Sequence, residues 1–144
     1  MPKSTSLCNS LLALLYNATA ISNVADNAAS SPLTSVSIAL ATASYSTSST
    51  LASNETAYTN YARQDVLRTT GGWAAPSSGA TSNAAAIEYP QCGVTGATIT
   101  SAATGKTGGG AAIAWHYGDL NAPISVSNQI QPRFPIGAVT ITET

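Results

Sequence analysis

Scarcity of charge constrains this chain more than any other feature. Its 144 residues carry five Lys or Arg, six Asp or Glu and one His, a formal net charge of −1. An ordinary soluble domain is about 25% charged, and this one is 8% charged. The surface must therefore be solvated by uncharged polar groups, which 19 Ser and 19 Thr supply, while 26 Ala keep many of the remaining side chains small. A nucleic-acid partner needs a basic stripe to neutralise phosphates, and five cations cannot build one. No run of about 18 apolar residues exists, so neither a membrane-spanning helix nor a membrane partner is expected.

Cys8 and Cys92 are far apart, with no C-x-x-C and no neighbouring His. They read as two free thiols in a reducing cytoplasm, not as a zinc site or a disulfide framework. No cofactor and no metal are expected. Lys3, the run Leu11 to Tyr16 and Ala18-Thr19-Ala20 imitate a secretory leader. The apolar run is shorter than the ~7–15 residues of such a leader, so none is expected. Asn17-Ala18-Thr19 and Asn54-Glu55-Thr56 fit the glycosylation pattern, as chance allows in so Asn-, Ser- and Thr-rich a chain.

Residues 4–18 read as a helix. Ser4, Thr5 or Ser6 can cap it, and Leu7, Leu11, Leu14, Leu15 and Ala18 recur on one stripe. That stripe packs on its own domain or docks on a neighbouring subunit. Residues 19–34 read as a loop ending at Ser31-Pro32. From Val36 the period becomes two: Val36, Ile38 and Leu40 alternate with Ser37, Ala39 and Ala41, as in a half-buried strand. Residues 43–59 read as a polar loop of low complexity, either mobile or ordered only by a contact. Strands are expected over 61–69, briefly at Trp73, and over 84–89, 97–101, 111–117, 123–127 and 136–142, with a loop at 77–83, a glycine turn at 104–110 and a stop at Gly118-Asp119. Short strands punctuated by turns predict a mainly β fold, an antiparallel β-sandwich of jelly-roll type after a short N-terminal helix. The expected division is a helical arm and linker over 1–34 and a β-sandwich domain over 35–144.

The chemistry-bearing residues do not assemble into a motif. Gly105-Lys106-Thr107 lacks the earlier glycine of a phosphate-binding loop, since Thr100 stands there. His116 and Asp119 could join a serine in a triad, but no nucleophile elbow exists. Asp65, Glu88 and Asp119 show no spacing that pairs two of them for glycoside hydrolysis. No catalytic residue is assigned and no enzyme activity is expected. Arg63, Asp65 and Arg68 place three charges within six residues, either an internally paired sheet face or an intersubunit ion pair.

An ordered series of segments resembles a known family. It runs through Asn17-Ala18-Thr19-Ala20, Val24 to Thr34, Glu55-Thr56-Ala57-Tyr58, Tyr61-Ala62-Arg63, Gly71-Gly72-Trp73, Asn83 to Pro90, Thr104-Gly105, Pro123 to Ser127 and Ile136 to Thr142. This series resembles small tailed-bacteriophage virion proteins, called tail-fibre-like or structural, some of whose relatives are capsid decoration proteins. The chain departs from that pattern after Leu40, where Ala41 to Tyr45 replace a His-Thr-Ala-Asp-Pro-like turn. The resemblance implies a β-rich, non-enzymatic component of the virion, assembled in the host cytoplasm. The reading at this point is a capsid decoration or cement protein. It would bridge subunits of the major capsid protein as a homotrimer, with Leu7, Leu11, Leu14, Leu15, Ala18, Arg63, Asp65 and Arg68 as contacts. A tail fibre, baseplate or tail-tip protein is the alternative.

Overall fold

A computed structural model describes residues 3–21, 32–106 and 112–143. Most of the expected loop over 19–34 and the glycines of the expected turn after Thr107 lie outside the described residues. The fold is mainly β, with antiparallel ladders and one short leading helix. The chain forms two compact units. One comprises Met1–Ser35, Val66–Ile87 and Phe134–Thr144; the other comprises Val36–Asp65 and Glu88–Arg133.

In the first unit, helix α1 spans Thr5–Tyr16. The Ser4 hydroxyl caps it by accepting from the Leu7 N–H at 3.3 Å. Cys8, Leu12 and Tyr16 form the fully buried row at i, i+4 and i+8. The expected stripe lies beside that row: Leu11, Leu14, Leu15 and Ala18 are half-buried and Leu7 is 44% exposed. The rotation follows from Tyr16, whose ring meets buried Trp73 edge-on at 4.6 Å.

The expected loop at 77–83 is instead a hairpin strand, β3 (Ala80–Ser82), paired with the C-terminal strand β8 (Thr140–Thr142). Its turn is Ser78-Gly79, both with positive φ (52° and 76°), as a two-residue primed turn requires. Asn83, 1% exposed, sews this region together. Its Nδ2 donates to the Ala85 and Pro135 carbonyls at 2.8 Å each, and its Oδ1 accepts from the Val139 N–H at 2.8 Å. A buried amide is tolerated because its groups are paired.

A four-stranded sheet has the order β2-β1-β5-β6. Its strands are β1 (Ser35–Ala41), β2 (Gln64–Leu67), β5 (Ala97–Lys106) and β6 (Ala114–Val126). Strand β4 (Ile87–Glu88) pairs with β7 (Arg133–Phe134) in a separate ribbon. Three expectations change here. Strand β1 is buried along both faces from Val36 to Ala41, not half-buried. It is an inner strand, and Tyr45 and Leu51 pack with Ala39, Ala41 and Ala103 on one of its sides. Strand β5 runs past Ser101 to Lys106, because Thr104 and Gly105 continue the ladder opposite Ile38 and Ser37. Gly105 is required there: a Cβ would stand 2.8 Å from the Ile113 carbonyl oxygen and 2.9 Å from Leu51 Cδ1.

Strand β6 does not stop at Gly118-Asp119. It absorbs the strand expected at 123–127 by bulging between Asp119 and Ile124, which pair with Ser101 and Ile99. Pro123 falls in that bulge on the sheet's outer strand, where a missing N–H breaks no ladder. A second bulge lies at Trp115, since Gly105 faces Ala114 while Thr104 faces His116. The bulge reverses the alternation, so Tyr117 shares a face with Ala114 and not with His116.

Residues 42–58 carry no helix or strand, as expected, but they are tied to the rest of their unit. Leu51 N–H donates to the Ala112 carbonyl at 2.8 Å, Thr56 N–H to Leu40 at 2.9 Å, and Tyr45, Leu51 and Tyr58 are buried.

Candidate functional site

The second unit holds an open cleft of about 850 Å³. Residues 55–63, Ser37 and Asp65 line it. The Arg63 guanidinium grips Glu55 through two parallel bonds, Nε to Oε1 and Nη2 to Oε2, each 2.7 Å. Both side chains are less than one-fifth exposed, so water competes little for them. The bond to Glu55 holds the Arg63 guanidinium above its ordinary range. Tyr61 completes the cluster: its O–H donates to Glu55 Oε1 at 3.0 Å and accepts from the Leu40 N–H at 2.9 Å.

Tyr45, Tyr61 and Tyr89 lie near this ion pair, and two more tyrosines pack on them. Tyr61 lies 6.3 Å from Tyr89 in a parallel stack and meets Tyr58 edge-on at 5.3 Å. Tyr45 packs at 6.2 Å from Tyr117. Burial pushes the Tyr45 phenol up to about 12, reinforced by the Glu55 charge. Burial also pushes Tyr58 up to about 12. Tyr61 and Tyr89 shift upward for the same principal reason.

The cleft's loop is fixed by side chains as well as by backbone bonds between Thr59 and residues 93 and 95. Tyr58 O–H donates to the Pro90 carbonyl at 2.9 Å, Thr59 Oγ1 accepts from the Thr95 N–H at 2.9 Å, and Asn60 Nδ2 donates to the Gln91 carbonyl at 3.3 Å. Asn60 sits at φ 77°, a left-handed conformation that Asn tolerates better than most residues. Asp65 is exposed at the rim and accepts from the Ser37 hydroxyl at 2.5 Å.

The other residues singled out from the sequence have separate partners. Arg68, 8% exposed, donates to the Leu14, Leu15 and Leu33 carbonyls in the first unit, each at 2.5 Å. Burial lowers its guanidinium from the ordinary range. Asp119 accepts from Ser44 Oγ at 3.0 Å, and Glu88 faces Arg133 at 3.3 Å on the surface. His116 stands opposite Thr104 in the β5–β6 ladder. Cys8 and Cys92 are buried free thiols. Among the described residues no group of three His, Cys, Asp or Glu could hold a metal ion, and no helix is long and apolar enough to cross a membrane.

The sequence reading missed Glu55 as the partner of Arg63. The two are eight residues apart in irregular chain, where no periodicity marks a pair. The available signal was charge economy: in a chain with six acids, each cation has few candidate partners.

A mainly β scaffold with one short leading helix is the β-rich build that the resemblance to phage virion proteins implies. The comparison with known families agrees: the family model described as Podophage GP4 fiber I protein gp80 matches residues 8–142. The chain belongs to that family, a tail-fibre-like family of phage virion structural proteins. No curated protein matches the sequence significantly.

Proposed function

We propose that this chain is a non-catalytic structural subunit of a phage tail fibre, assembled from identical copies as a homotrimer. The family match over residues 8–142 carries the reading, because that family is described by a fibre protein. It favours the tail alternative over the cement role on the capsid. The dispersal of Asp65, Glu88 and Asp119 onto Ser37, Arg133 and Ser44 also supports a non-catalytic role.

Repeated contacts between identical subunits become strong through multivalency even when each one is modest. Leu7, the most exposed apolar residue of α1, leads the proposed subunit contacts, with Leu11, Leu14, Leu15 and Ala18 beside it. Arg63, Asp65 and Arg68 have partners within the chain and are less suited to that task. Immunogold labelling of purified virions tests the assignment. Gold at the tail supports it. Gold over the head, bound to the major capsid protein lattice, restores the cement reading and overturns this one.

A further inference from the structure

We infer that the outer edge of β6 pairs with the same edge of a second copy of this chain, antiparallel and centred on Gly118. Among the described residues β6 ends the sheet order β2-β1-β5-β6, so its far edge has no ladder strand along it. Such an edge presents a row of N–H and C=O groups to any extended chain.

The chain covers only the start of this edge. Leu51 N–H donates to the Ala112 carbonyl at 2.8 Å and Ala114 N–H to the Ser49 carbonyl at 3.2 Å, with a bridge between Thr50 and Ile113. These bonds fix which backbone groups point outward. Outward groups recur at every second residue, here Ala112 and Ala114. The extra residue at Trp115 shifts the phase by one, so the next outward residues are Tyr117 and Asp119. From His116 to Asp119 the strand runs regularly against Thr104 to Ser101. Past Asp119 the second bulge and Pro123 blunt the edge. The open window is therefore short, and Tyr117, Gly118 and Asp119 are all exposed in it.

In this phase the sequence Tyr-Gly-Asp complements itself. A twofold axis at Gly118 sets Tyr117 of each copy opposite Asp119 of the other, and each such pair exchanges both backbone bonds. Tyr117 and Asp119 share a face, so the phenol O–H of one copy comes beside the carboxylate of the other. Asp119 gives Oδ2 to Ser44, and a carboxylate has further lone pairs to accept with. Gly118 meets Gly118 at the close spacing of a non-hydrogen-bonded pair, about 4.5 Å between Cα atoms. A net charge of −1 gives two copies little mutual repulsion. An unrelated strand would meet the same backbone groups without this side-chain match. The contact is smaller than the ~800 Å² per partner of a stable interface, so it is weak alone and strengthens where many copies are held together. It is twofold, hence separate from the threefold assembly proposed above, and does not rest on it.

The test is sedimentation equilibrium of the isolated full chain up to about 1 mM, with amide hydrogen exchange at low and high concentration. The expected result is a concentration-dependent twofold association that slows exchange at the outward amides of Tyr117 and Asp119. Gly118→Lys places like charges directly opposite each other and should weaken the association about tenfold or more. The single chain should tolerate it, because a Cβ at Gly118 meets nothing within 4 Å. Its thermal unfolding, followed in parallel, should match wild type. The inference is overturned if the chain shows no twofold association at that concentration, or if the association persists in Gly118→Lys. It is also overturned if the amides of Tyr117 and Asp119 exchange equally fast at both concentrations. A trimer that ignores Gly118→Lys while those amides stay unprotected would sink this contact and leave the fibre reading intact.

Discussion

Arg68→Ala should destabilise the first unit far more than an exposed arginine would. The helix carries no basic residue in its last turn, so no local cation offsets its C-terminal carbonyls. Arg68 supplies that charge from far along the chain, to Leu14 and Leu15, and also holds Leu33. A hydrogen bond from a charged donor contributes about 1.5–3 kcal/mol, but the three share one desolvated guanidinium and do not add. Losing the three bonds together with the packed apolar stem costs about 3–5 kcal/mol, the magnitude expected here. For a chain of this size that corresponds to roughly 10–15 °C in melting temperature. Arg68→Met separates the terms, since it retains most of the apolar stem. Arg68→Lys keeps the charge but not the fork, and should recover only part of the loss. The assay is urea denaturation of the isolated chain by circular dichroism. A loss below about 1 kcal/mol for Arg68→Ala, the level of an exposed ion pair, would refute the latch. Unchanged stability of the isolated chain with failed assembly would return Arg68 to the intersubunit role first considered for it.

Three further outcomes follow from the second unit. Glu55→Gln should cost about 2–4 kcal/mol in denaturant titrations, since it leaves the Arg63 guanidinium without its carboxylate in a mostly buried setting, and an unaltered midpoint would contradict the pairing. Gly105→Ala should cost about 1–3 kcal/mol, because its Cβ would overlap the Ile113 carbonyl, and wild-type stability would disprove that close approach. Alkaline unfolding should be governed by the buried tyrosines. The folded chain holds the Tyr45 and Tyr58 protons up to about 12, whereas the unfolded chain releases them near 10. The folded state thus binds more protons in that window, so stability is flat below it and falls as pH rises through it. A rise in tyrosinate absorbance near pH 10, ahead of unfolding, that disappears in Tyr45→Phe or Tyr58→Phe would contradict this.

Local rules carried the helix and several strand positions, and long-range rules decided the rest. Ser4 was readable as a cap because capping depends on its immediate neighbours. The buried row of α1 was not, because Trp73 selects it by receiving Tyr16. The Ser78-Gly79 turn carried a signal, a Ser-Gly pair ahead of a β-branched residue, but three-residue β3 was too short to stand out from the polar run around it. Gly118 read as the end of one strand and Pro123 as the start of another, yet an outer strand with a bulge absorbs both. The Glu55–Arg63–Tyr61 cluster depends on how an irregular loop folds back, which residue spacing does not encode. Family membership was legible because the resemblance rests on ordered segments over most of the chain, without requiring any one of these contacts to be foreseen.

Quantitative mass spectrometry of purified virions, with the major capsid protein as internal standard, tests the fibre assignment most directly. The account predicts a copy number far below that of the coat protein, in a multiple of three that matches the fibres counted on the particle. Near-stoichiometric abundance with the coat protein, or loss of the chain on purification, would contradict it.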